Sequence, residues 1–221
     1  MELMQDFSKL IPFFVEKGGV EKIDLSMFDT QTQRTIYDAL GEEYLRRGRL
    51  RDAATAFVHV QNMERLRDVG AEYERVLLFE NAIDVYIKAG AKDCLRAIGR
   101  ICISELKINE AIRVFTFLGD MDALDNLGRV CMEREKWDAA LEIFASIGNK
   151  AKLIELGKTC SRYPYYDYAA RAFELAGDVA ALNSLAGECL KQGLVQRAKN
   201  IYQTADNQMM VSFIQSNFGK V

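Results

Sequence analysis

The sequence predicts an all-α chain built as a stack of antiparallel helix pairs, on three observations: a gapless 29-residue period, helical spacing inside each period, and small residues where two helices would meet. One apolar position recurs at Tyr37, Leu66, Leu95, Leu124, Leu153 and Leu182, followed three residues later by Leu40, Val69, Ile98, Leu127, Leu156 and Leu185. Next come Gly41, Gly70, Gly99, Gly128 and Gly157, with Ala186 ending the series. Three residues further stand Tyr44, Tyr73, Cys102, Cys131, Cys160 and Cys189. Apolar side chains at i, i+3 and i+7 share one helix face, so each unit opens with an amphipathic helix, here helix A.

Helix B follows on the same logic. Leu50, Phe79, Ile108, Trp137, Tyr166 and Val195 begin it, the alanines 53, 82, 111, 140, 169 and 198 follow, and Phe57, Tyr86, Phe115, Phe144, Phe173 and Tyr202 close the stripe. Glycine inside a helix costs about 1 kcal/mol relative to alanine, so its return at one position requires a close approach of the partner helix. Gly90, Gly119, Gly148 and Gly177 suit the left-handed residue that ends helix B, and Asp120, Asn149 and Asp178 suit the N-cap of the next helix A.

These columns divide the chain, read as a single domain over 1–221, into a degenerate capping unit at 8–36, six full repeats at 37–210, and a closing helix at 211–221. In the first of these Ile11, Val15 and Phe28 keep their columns while Asp24 replaces the alanine. Terminal repeats are expected to be atypical because each has one neighbour only. Two prolines, Pro12 and Pro164, leave no proline-rich linker.

The composition excludes several function classes. A net charge of −3 and the absence of a long apolar run argue against nucleic acid and against membrane insertion. Catalysis lacks its usual parts: the sole histidine, His59, shares a column with Lys88, Phe117, Ser146, Leu175 and Thr204, and no phosphate-binding glycine string occurs. Cys102, Cys131, Cys160 and Cys189 stand one repeat apart, about 10 Å or more, too far to close around zinc at about 2.3 Å. No enzyme, metal or cofactor is therefore expected, and five cysteines without redox spacing fit a reducing, cytoplasmic setting.

The order apolar-x2-Leu-Gly-x2-Tyr/Cys, then Ala-x3-Phe/Tyr, resembles the tetratricopeptide signature, and the step from Gly70 to Ala82 and Tyr86 is the same. The signature tryptophan is leucine in most copies, and the closing proline is absent from a unit shorter than the usual 34 residues. The corners Leu118-Gly119-Asp120 and Ala176-Gly177-Asp178 are similar to those of tetratricopeptide-like solenoids in vesicle-coat and intraflagellar-transport subunits. The resemblance implies a right-handed α-α superhelix whose A helices line a concave groove, and a protein or peptide partner.

The residues three before, one after and four after the Gly column would line that groove. Its N-terminal end is acidic, with Asp38 and Glu42. Its middle carries Arg67, Arg96, Arg100, Arg129 and Lys158, with apolar Ile103, Met132 and Ile154 beside them, which suits a peptide bearing acidic residues. The alternative is an ordinary solvated face, since Asp125 and Arg129 stand in favourable i, i+4 order. Tyr163, Tyr165 and Tyr168 fall where other units are mostly polar, as interface anchors or as packing beneath a neighbouring loop. The expected function is a scaffold, adaptor or chaperone-like binding module; the alternative is a structural subunit of a coat or transport assembly, and the oligomeric state stays open.

Overall fold

A computed structural model describes the backbone of residues 2–219 and the side chains from residue 10 onward. Lys220 and Val221 of the expected closing helix lie outside the described residues. Among the described residues the chain is an all-α solenoid of fourteen α-helices and one 3-10 turn, with no strand, and consecutive helices pack pairwise. It divides into two compact units, Met1–Val114 and Phe115–Val221.

The first unit holds α1 (Glu2–Lys17), the 3-10 turn Val20–Lys22, then α2 (Thr30–Arg46), α3 (Leu50–Val60), α4 (Met63–Arg75), α5 (Phe79–Lys88) and α6 (Lys92–Ser104). The division falls inside α7 (Ile108–Leu118). The second unit continues through α8 (Met121–Glu133), α9 (Trp137–Ser146), α10 (Lys150–Arg162), α11 (Tyr166–Ala176), α12 (Val179–Lys191), α13 (Val195–Thr204) and α14 (Gln208–Phe218).

Gly41, Gly70, Gly128 and Gly157 of helix A have the packing reason their recurrence implied. A methyl group built on Gly41, Gly128 or Gly157 would stand 2.5 Å from a ring carbon of Phe57, Phe144 or Phe173, and one on Gly70 would collide with Tyr86. The aromatic of helix B therefore lies flat on the backbone of its own helix A. The sixth copy departs from this: Ala186 is fully buried, and the Tyr202 hydroxyl passes 3.5 Å from where a methyl on the next residue, Gly187, would be.

Both kinds of corner close in the same way. At the end of α4, the Leu77 amide donates to the Glu74 carbonyl and the Leu78 amide to the Tyr73 carbonyl; at the end of α5, Gly90 and Ala91 donate to Ile87 and Tyr86. This double bond pattern requires a left-handed residue at its centre. Gly90, Gly119, Gly148 and Gly177 supply it after the B helices, while Gly48, Leu77, Leu106, Glu135 and Gly193 supply it after the A helices. Pro164 occupies that last column in the fifth copy and can neither donate an amide nor adopt the angle. There α10 ends on an extended Tyr163, at φ −103° and ψ 150°.

The degenerate first unit contains a helix A and no helix B. The stretch after Gly18 forms the short 3-10 turn, Asp24 accepts from the Ser26 amide, and the Gln33 side chain donates to the Leu25 and Phe28 carbonyls. Asp29 then caps α2, accepting from the Gln31 and Thr32 amides at 3.0 Å each, so this helix starts four residues before its equivalents. With that early start Ile36 takes the buried place and Tyr37, half-buried, stacks on the exposed His59 with ring centroids 4.6 Å apart.

Cys102, Cys131, Cys160 and Cys189 are buried, and burial pushes the thiols of Cys102, Cys131 and Cys160 up to about 11. A raised folded-state value makes the neutral thiol part of the fold: this stability is complete below the ordinary value of 9.0 and is lost as pH rises towards 11. At pH 8 a thiol-reactive disulfide dye is expected to modify Cys94 alone in the native protein and all five cysteines in urea. More than one fast native thiol would contradict this packing.

Candidate binding face on the A helices

The face shared by neighbouring A helices is organised by capping. In the first unit Asn62 accepts from the Arg65 amide, capping α4, and its other amide atom donates to Asp38 on α2 at 2.8 Å. In the second unit Asn149 caps α10 and donates to Asp125 on α8 at 2.8 Å, and Asn207 caps α14 and donates to Asn183 on α12 at 2.5 Å. Each asparagine both caps its own helix and ties it to the A helix before it. Where the cap is an aspartate, as at Asp178, a carboxylate has no proton to give, and the position 24 residues earlier is Ile154.

This changes the electrostatics read from sequence. The acidic end of the stripe is internally satisfied: Asp38 accepts from Asn62, and Glu42 holds the Arg65 guanidinium in a two-point contact that Arg65 extends to Asp68. Asp125 accepts from Asn149 instead of pairing with Arg129. Glu74 accepts from the Tyr86 hydroxyl at 3.0 Å, and burial together with this contact raises the tyrosine's pKa.

The cations keep their availability. In the first unit Arg67, Arg96 and Arg100 are exposed and Ile103 is half-buried. Arg67 touches the Cys94 sulfur at 3.9 Å, Arg96 makes one 3.3 Å contact with the highly exposed Asp93, and Arg100 has no ion pair among the described residues. In the second unit Arg129 and Lys158 are exposed and Met132 and Ile154 half-buried. Arg129 borders a hollow of about 470 Å³ with Met121, Asp122 and Asn149, and Lys158 borders one of about 640 Å³ with Ser161, Arg162 and Lys191. Neither cation has an ion pair among the described residues.

The B helices differ. Arg113 pairs with Asp84 in the first unit, and in the second Arg197 pairs with Asp167 at 3.0 Å and the Tyr168 hydroxyl donates to Asp138 at 3.0 Å. Each of these contacts links neighbouring copies. Tyr168 thus belongs to this lacing, whereas Tyr163 and Tyr165 come together at the Pro164 corner, exposed, with Tyr165 5.9 Å from the buried Trp137 ring. Among the described residues no group of three or more histidine, cysteine or acidic side chains is placed to hold a metal ion, and no helix is long and apolar enough to cross a membrane.

Fold and repeat columns define a class, the all-α helical repeat, and its unit is similar to the tetratricopeptide repeat. The tetratricopeptide repeat model itself matches residues 123–150, which run from α8 through α9. No curated protein matches the chain. Among solved structures it is similar to the crystal structure of MamA protein, at 17% identity and a TM-score of 0.28 over 87% of this chain and 98% of that one. It is also similar to a circular tandem repeat protein with novel repeat topology and enhanced subunit contact surfaces, at 14% identity and a TM-score of 0.15, over 99% of this chain and 47% of that one.

Proposed function

We propose that the chain is a non-catalytic interaction module, a scaffold or adaptor, that holds an extended or helical peptide segment against its A-helix face. Acidic side chains of the partner meet Arg67, Arg96 and Arg100 in the first unit and Arg129 and Lys158 in the second, and apolar ones meet Ile103 and Met132. Repeat stacks of this class offer extended surfaces suited to such segments. The observation that carries the reading is the asymmetry of charge pairing. On the A face the carboxylates of the stripe are occupied from within the protein while Arg100 and Arg129 have no ion pair among the described residues, and on the B face Arg113 and Arg197 are paired with Asp84 and Asp167.

A fluorescein-labelled peptide with glutamates at i, i+4 and interspersed leucines tests it by anisotropy. Arg67→Glu with Arg100→Glu is expected to weaken binding by at least about tenfold, the value of one lost charge-assisted contact, with circular dichroism unchanged. Affinity should also fall as salt rises. Binding that is indifferent to both changes would overturn the proposal.

A further inference from the structure

The hollows that open along the A helices differ in charge. In the first unit, one of about 940 Å³ between α1, α2 and α4 is bordered by Arg46, Arg65 and Arg75, and each of these is already paired, with Glu43, Glu42 and Glu72 respectively. In the second unit, the hollow of about 470 Å³ sets Arg129 against Asp122 and Asp125. The hollow of about 640 Å³ between α10 and α12 has the opposite balance, with Lys158, Arg162 and Lys191 against Asp178 and Glu188.

Both carboxylates of this last hollow are engaged. Asp178 accepts from the Ala181 amide as the N-cap of α12, and Glu188 accepts from the Gln192 side chain at 3.1 Å and lies 3.8 Å from the Lys191 ammonium. Lys158 and Arg162 are exposed and have no ion pair among the described residues. They stand at i and i+4 on α10, an arrangement of like charges that is unfavourable until an anion lies between them. On the α12 wall the exposed Ser184 hydroxyl makes no hydrogen bond among the described residues and is free to donate.

We propose that this hollow receives a phosphorylated serine or threonine of the partner segment. The proposal rests on the peptide-binding reading above and specifies one residue of that peptide. A phosphoryl group carries about −1.5 to −2 charges at pH 7 and three strong acceptor oxygens, whereas a carboxylate carries one charge. Cations from two helices and a hydroxyl donor around one hollow match the larger charge and the larger number of acceptors. Continuity favours a peptide as its bearer: the hollow shares Lys158 with the proposed face, so one segment can place acidic side chains on the arginines and its phosphoryl group here.

The test uses the fluorescein-labelled glutamate- and leucine-bearing peptide with a single phosphoserine at successive positions, each beside its serine twin. Anisotropy is expected to show a register in which phosphorylation tightens binding by at least about tenfold. Arg162→Ala with Lys191→Ala, both exposed positions, is expected to abolish that gain while the serine twin binds as it does to the wild type. Arg67→Glu with Arg100→Glu is expected to weaken both members of the pair. A gain below about threefold in every register, or one that survives Arg162→Ala with Lys191→Ala, overturns the proposal. The peptide-face reading then still stands if the serine twin responds to the arginine reversals. If the twin ignores them, that reading fails, and the phosphate hollow stands or falls on the Arg162 and Lys191 comparison alone. Capture of phosphoinositide-containing vesicles by the wild type but not by the Arg162 and Lys191 variant, without a phosphopeptide gain, assigns the hollow to a lipid headgroup and also overturns the proposal.

Discussion

Truncation of Phe144 to alanine is expected to destabilise the protein by about 3–5 kcal/mol, and adding Gly128→Ala to that variant is expected to restore about 1 kcal/mol of it. The ring of Phe144 is fully buried and its edge lies 2.5 Å from the position a Gly128 methyl would take. In the native background Gly128→Ala should therefore be harmful: overpacking costs about 1–3 kcal/mol, and the gain in helix propensity, about 1 kcal/mol, offsets only part of it. Once the ring is gone the overlap disappears and only the propensity gain is left. The same substitution thus changes sign with its neighbour. Urea unfolding of the four proteins in a double-mutant cycle measures it, and a Gly128→Ala effect independent of residue 144 would contradict the packing.

Asn149→Asp is expected to cost about 2–3 kcal/mol at pH 7, although aspartate is as good an N-cap as asparagine. The loss comes from the other half of the side chain. The amide donates to Asp125 at 2.8 Å, and its replacement sets two carboxylates against each other. Their repulsion raises a carboxyl pKa in the folded state, so the deficit is largest above the ordinary carboxylate range and shrinks as pH falls through it. Adding Asp125→Asn should recover most of the stability, because the new asparagine donates to the new aspartate with the bond reversed. Failure of the exchange to rescue, seen by thermal unfolding at pH 7, would show that the two side chains are not coupled.

Much of this architecture is legible in the sequence because a strict period turns one inference into six. The Gly and aromatic columns, the left-handed glycines at 90, 119, 148 and 177, and the caps at 120, 149 and 178 are local rules repeated, and each copy checks the others. Breaks in the period were harder to read. Helix B of the capping unit is replaced by a 3-10 turn, because side-chain bonds from Asp24 and Gln33 compete with a helix whose alanine is missing.

On the proposed A-helix face the cations are exposed as the sequence implies, but the carboxylates are not a free acidic surface. Counting residues made its N-terminal end acidic, whereas Arg65, outside the stripe and 23 residues from Glu42, neutralises it. The Asn-to-Asp tie had a signal: asparagine caps at 62 and 149 stand 24 residues after aspartates, and a cap at 207 after an asparagine. Spacing between unlike columns has to be compared for it to emerge. The exposure of Val76, Leu77 and Leu78 has no such signal, since an apolar run beside a helix start has the pattern of a core segment.

The central claim is that a partner's acidic side chains lie on the A-helix face. Amide chemical-shift mapping of the isotopically labelled chain, titrated with the glutamate- and leucine-bearing peptide, tests it most directly. The account predicts perturbations centred on Arg67, Arg96 and Arg100 in α4 and α6 and on Arg129 in α8, with the B-helix residues Asp84, Arg113, Asp167 and Arg197 unmoved. Perturbations confined to the B helices, or to the corners at Leu77 and Tyr163, would contradict it.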